Sequence, residues 1–185
     1  QDAIVARESS TLRVNTGQSD WPGITIKAPE GHWDLSTYVD VAMRVENVGT
    51  APVTVNCRVD GLDNTGRNSL TESVTFNPSE QKVLKVQLPR RIPAGLSNKL
   101  FGLRGLPGGL RLKGIDATQV TQFIVFVNKP DRDHSFRLGS IQARGSYQPP
   151  QWTEMSSNAF FPMIDSLGQF IHGEWPGKME GVEEL

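Results

Sequence analysis

Apolar and polar residues alternate with a period of two through much of the chain. Val39, Val41, Met43 and Val45 alternate with Asp40, Ala42, Arg44 and Glu46. Past the turn Asn47-Val-Gly-Thr50, Val53, Val55, Cys57 and Val59 alternate with Thr54, Asn56, Arg58 and Asp60. Both runs predict strands with one face in a core and the other in water, and their closeness predicts a hairpin or near neighbours. Further strands are expected over residues 3–14, 23–27, 69–76, 81–88, 121–128 and 135–143. Asp60-Gly, Asp63-Asn-Thr-Gly, Asn77-Pro and Lys129-Pro-Asp supply turns between them. The run Gln122-Phe-Ile-Val-Phe-Val-Asn128 is apolar on both faces, which predicts a strand covered on both sides. The Gly- and Leu-rich loop 99–113 is long enough to be that cover.

No helical stripe longer than two turns occurs before residue 150. Many short strands with Gly/Pro punctuation and no interleaved helices predict an all-β fold, an antiparallel sandwich or barrel. After Gly145 the character changes. Ser146-Tyr-Gln-Pro-Pro-Gln-Trp152 reads as an extended linker. The expected organisation is therefore a β-sandwich over 1–148 and a linker with further chain over 149–185.

At 185 residues the chain suits one core with an extension. Its formal net charge of −1 lacks the basic footprint of a nucleic-acid binder. No apolar run reaches the roughly 18 residues of a membrane helix, and no signal peptide or lipidation motif is visible. Gln1 is compatible with a mature N-terminus left by signal cleavage. Cys57 is the sole cysteine, and its place in an alternating valine run marks it as a small buried hydrophobe.

No catalytic constellation stands out. Asp165 and Glu174 are two carboxylates at a spacing that implies no fixed geometry, whereas a retaining glycosidase needs a pair about 5 Å apart. Pro130-Asp-Arg-Asp-His134 reads as a charged turn, with a metal or sugar clamp as the alternative. His32, His134 and His172 are too dispersed for a zinc site. Sugar recognition instead calls for a flat ring against the apolar face of a pyranose and a few polar groups on its hydroxyls. Trp21, Trp33, Tyr38 and Trp152 are the candidate rings, with a core-anchor role as the competing reading for a Trp leading into a strand. Arg44, Asn56, Arg58 and Asp60 are the candidate polar partners, against a plain solvated sheet face.

Several segments carry a family resemblance. Phe160-Phe-Pro-Met-Ile-Asp-Ser-Leu-Gly-Gln-Phe-Ile-His-Gly-Glu-Trp-Pro-Gly-Lys178 resembles the passage by which agarase-type glycoside hydrolases run from an N-terminal β-sandwich into a catalytic (β/α)8 barrel. His32-Trp-Asp-Leu-Ser-Thr-Tyr-Val-Asp-Val-Ala-Met-Arg-Val-Glu-Asn-Val-Gly49 resembles the loop and strand start of galactose-binding-like jelly rolls, and Phe101-Gly-Leu-Arg-Gly-Leu-Pro-Gly-Gly109 and Val127-Asn-Lys-Pro-Asp-Arg-Asp-His134 are similar to loops of the N-terminal domains of family 50 β-agarases and relatives. The resemblance implies a jelly roll like galactose-binding domains, ending at an incomplete lead-in to a barrel of about 250 residues. It implies a non-catalytic accessory domain of a polysaccharide-degrading enzyme, binding an agarose- or porphyran-like galactan. The alternative is a structural domain that packs on the barrel without holding sugar. A secreted, periplasmic or cell-surface bacterial location follows, with polysaccharide and the barrel as partners and neither nucleic acid nor membrane. Related modules hold a structural calcium at the sheet edge. Here Gly139 stands where an acidic ligand is common, leaving Glu8 or backbone carbonyls as ligands.

Overall fold

The computed structural model describes residues 2–62, 68–91 and 114–148. The chain divides into two units, Gln1–Tyr147 and Gln148–Leu185. The first is an antiparallel β-sandwich, one of the two all-β forms the alternation predicts, and of the jelly-roll type that the resemblance implies. Its strands are β1 (Ala3–Glu8), β2 (Thr11–Thr16), β3 (Gly23–Lys27), β4 (Asp40–Asn47), β5 (Val53–Gly61), β6 (Ser69–Phe76), β7 (Gln81–Gln87), β8 (Val120–Val127) and β9 (Ser135–Arg144). One sheet has five strands in the order β1-β2-β9-β4-β7 and the other four in the order β3-β8-β5-β6.

The apolar half of each alternating run meets in the space between the sheets. Val14, Val41, Met43, Val45, Leu84, Val86, Phe136 and Leu138 enter from the five-stranded sheet. Val55, Cys57, Val59, Phe76, Val125 and Val127 enter from the other. Burial, with Asp60 adding to it, pushes the Cys57 thiol up to about 12, so it is a packing group rather than a nucleophile.

Two expectations need correction. The single strand expected over 3–14 is a hairpin, because Ser9 takes a left-handed φ of 52° and turns the chain back so that Glu8 pairs with Thr11. The two valine runs, expected as a hairpin or near neighbours, are not paired or adjacent in one sheet, since β4 lies in the five-stranded sheet and β5 in the four-stranded one. Two strands with the same period bury their apolar faces equally well from opposite sides of a core, so alternation alone does not distinguish an arch from a hairpin. Buried Asn47 holds the crossing. Its Nδ2 donates to the carbonyls of Ala51 (2.9 Å) and Phe76 (3.2 Å), and its Oδ1 accepts from Gly49 N–H (2.9 Å).

Strand β8 is central to its sheet, with Phe123, Val125 and Val127 in the core and Ile124 and Phe126 half-buried on the outer face. Beside Phe126 lies Gly23, where a Cβ would collide with the Val125 carbonyl. The loop 99–113, the turn at 63–66 and the lead-in 149–185, with Trp152, Asp165, His172 and Glu174, lie outside the described residues.

Candidate functional site

The outer face of the five-stranded sheet carries the polar half of its strands. On β4 these are Asp40, Ala42, Arg44 and Glu46, flanked by β7 and β9. In register, Ala42 stands between Lys85 and Gln142, Arg44 opposite Val83, and Glu46 between Gln81 and Arg137. The pairing of β4 with β9 shifts between Met43 and Val45. Such an irregularity bends a strand and reshapes the surface. Here a shallow groove of about 370 Å³ opens, floored by Ala42, Gly139 and Val83 and bordered by Ser10, Thr11, Arg44, Gln81, Ser140, Gln142 and Arg144.

Its charges are unevenly matched. Arg137 donates to Glu8 at 2.7 Å and to Glu46 at 3.3 Å, Arg13 approaches Glu8 at 3.6 Å, and Arg144 donates to Asp40 at 3.0 Å. The hydrogen bond from Arg137 leads the effects that hold the Glu8 carboxyl below its ordinary range. Arg44 makes no ion pair or side-chain hydrogen bond among the described residues, and neither do Gln81, Ser140 and Gln142. These side chains are available to a ligand.

The remaining sequence candidates do not gather with Arg44. Asn56, Arg58 and Asp60 stand on the outer face of the four-stranded sheet, on the other side of the sandwich. There the fully buried Asp60 carboxylate accepts from Arg58 Nε (2.6 Å) and Nη2 (3.0 Å) and from Gln122 Nε2 (2.7 Å). Asn56 Nδ2 donates to the Phe126 carbonyl at 3.3 Å. This trio is occupied in holding its own sheet. Trp33 is half-buried and stacks on Phe123 with ring centroids 4.7 Å apart and planes 11° apart. Its backbone pairs with Val120, which fixes the ring as a core anchor. Tyr38 is partly exposed, and Trp21, 57% exposed, precedes β3.

Arg90 escaped sequence reasoning altogether. Its guanidinium donates to the carbonyls of Leu35, Ser36, Tyr38 and Leu88 and lies 4.3 Å from the centre of the Tyr147 ring. It thereby staples the Trp33 to Tyr38 loop to the end of the sandwich. Gln81, Ser140 and Gln142 were also missed, since only the sheet order brings β7 and β9 beside Arg44.

The charged turn closes on itself, with Arg132 paired to Asp131 at 2.8 Å and Gln18 donating to Asp133 at 3.0 Å. Among the described residues no three His, Cys, Asp or Glu side chains come together as a metal site. Glu8, the calcium ligand considered above, lies between two guanidinium groups, an environment that does not fit a cation.

No protein-family model matches the chain. It is 25% identical over 182 residues to beta-agarase B of Vibrio sp. (strain JT0107), a match covering 89% of this chain and 18% of that protein. The chain resembles one segment of an agarase. The match fits an N-terminal domain of a family 50 agarase, as the sequence resemblance implies. Among solved structures, an exo-beta-agarase superposes with a TM-score of 0.58 at 18% identity, over 80% of this chain and 24% of that one. CtCBM11, studied in solution, superposes with a TM-score of 0.50 at 16% identity, over 80% of this chain and 83% of that one. The agarase likeness thus spans less than a quarter of the larger proteins, whereas CtCBM11 is matched over most of its length.

Proposed function

We propose that this is a non-catalytic accessory domain of a glycoside hydrolase, and that it binds polysaccharide of the galactan type along the groove on the five-stranded sheet. The observation that carries the reading is the unclaimed set of Arg44, Gln81, Ser140 and Gln142 around a small-residue floor. A pyranose hydroxyl both donates and accepts, and a side-chain amide answers both ends. Val83, 43% exposed, offers apolar contact to the C–H face of a ring. The similarity to agarases supports an agarose- or porphyran-like ligand and a parent enzyme whose hydrolytic carboxylates lie in another domain. A polymer of this size is met outside the cytoplasm, which supports a secreted, periplasmic or cell-surface location. The test is affinity electrophoresis in native gels with and without agarose. A Gln81→Ala/Gln142→Ala double variant is expected to lose most of the retardation of the parent chain. Equal retardation of the two would place binding elsewhere, and no retardation of either would remove agarose as ligand.

A second reading, a structural domain that packs on the catalytic domain, is favoured by the exposed apolar residues of edge strand β1, Ile4 at 75% and Val5 at 46%. It predicts that truncation after Gln148 lowers the melting temperature and promotes self-association. An unchanged, monomeric truncated form would favour the binding reading.

A further inference from the structure

The groove's charge points to a narrower ligand class, an inference that rests on the binding reading above. The chain as a whole has a net charge of −1, yet the outer face of the five-stranded sheet sets four arginines and Lys85 against three carboxylates. Glu8 and Glu46 are taken by Arg137 and Arg13, and Asp40 by Arg144. Arg44 and Lys85 are left over, and of the two Arg44 lines the groove. Directly across the ladder Arg44 meets Val83, Gly139 lies against its Cβ, and Glu46, two residues along on the same face, is engaged by Arg137, so no carboxylate pairs with Arg44 among the described residues.

We propose that Arg44 selects an acidic galactan, one bearing an anionic substituent such as a sulfate ester or a C6 carboxylate, over the neutral polymer. A guanidinium has five donors in a rigid fork and no acceptor, which matches the paired oxygens of an anion better than a hydroxyl. The hydroxyls are served by Gln81, Ser140 and Gln142, whose groups work in both directions.

The experiment compares binding of the full chain to a sulfated galactan, to the same polymer after desulfation, and to a C6-oxidised agarose, by affinity electrophoresis and calorimetry. Arg44→Gln, Arg44→Lys and, as a control on the other sheet, Lys27→Gln are run beside it, with melting curves to confirm folding. The expected result is a preference of about tenfold or more for an acidic polymer, the size of one charge-assisted hydrogen bond. That preference should collapse towards unity in Arg44→Gln, survive in part in Arg44→Lys, weaken with salt, and stay intact in Lys27→Gln. Whichever acidic polymer is favoured identifies the anion. Equal binding of acidic and neutral polymers overturns the selectivity and leaves the binding function standing. A preference lowered equally by Arg44→Gln and Lys27→Gln would mean diffuse attraction and also overturn it. Binding to none of the polymers removes both.

Discussion

Replacing Asn47 by Ala tests the feature that separates this fold from the hairpin its alternation suggests. The side chain is 1% exposed and sits where the chain leaves β4 to cross towards β5. It makes three hydrogen bonds, to the carbonyls of Ala51 and Phe76 and from Gly49 N–H. Each is worth about 1 kcal/mol net, and leaving the Phe76 carbonyl without its side-chain donor in a buried place adds to the loss. The expected cost is about 3 kcal/mol, a large share of the roughly 5–15 kcal/mol that holds a domain folded. Asn47→Asp keeps the bond from Gly49 but turns a carboxylate oxygen towards two carbonyl oxygens. It should cost at least as much at neutral pH and recover as the pH falls and that carboxylate is protonated. Urea unfolding followed by tryptophan fluorescence measures both, with Thr54→Ala as control, because the Thr54–Thr75 contact of 2.8 Å is exposed and its loss should cost under about 1 kcal/mol. An Asn47→Ala cost below about 1 kcal/mol, or one equal to that of the control, would refute the assignment of Asn47 as the clamp of the crossing.

Other outcomes follow from the same geometry. Trp33→Ala should lower stability by about 2–3 kcal/mol through loss of the Phe123 stack and of half-buried area, whereas Trp21→Ala should stay within about 0.5 kcal/mol; similar melting temperatures would contradict the anchor role. The carboxyl of Glu8 titrates below its ordinary 4.5, so its contribution is complete above that value and is lost as the pH falls through the lowered one; Glu8→Gln should flatten this acid limb of the melting-temperature profile, and an unaltered limb would count against it. Partial burial likewise depresses His134 below 6.5, so stability should begin to fall as the pH drops below about that value, and His134→Gln should remove this earlier step. With its thiol pushed up to about 12, Cys57 should resist a thiol reagent at pH 8 until the domain unfolds, and prompt labelling of the native protein would show that the core is open.

Much of this molecule is written in local alternation. The valine runs of β4 and β5, the strands β3, β6, β7, β8 and β9 close to their expected bounds, and the burial of Cys57 all follow from which residues can face a core, a property carried by each strand alone. The agarase likeness was legible for a related reason, since it rests on short motifs that are read residue by residue along the chain. Tertiary structure decided what depends on partners distant in the chain. The left-handed Ser9 broke one expected strand into two, because a Ser-Ser pair is a weak turn signal until the hairpin pairs around it. Membership of opposite sheets parted Arg44 from Asn56, Arg58 and Asp60, which look alike along the chain because period two marks the wet side of a strand but not which sheet bears it. The bond from Gln122 to the buried Asp60 carboxylate and the stacking of Trp33 on Phe123 depend on β8, with Gln122 sixty-two residues away from Asp60. The groove itself arises only when β7 and β9 close around β4, setting Gln81 and Gln142 beside an arginine that no carboxylate answers.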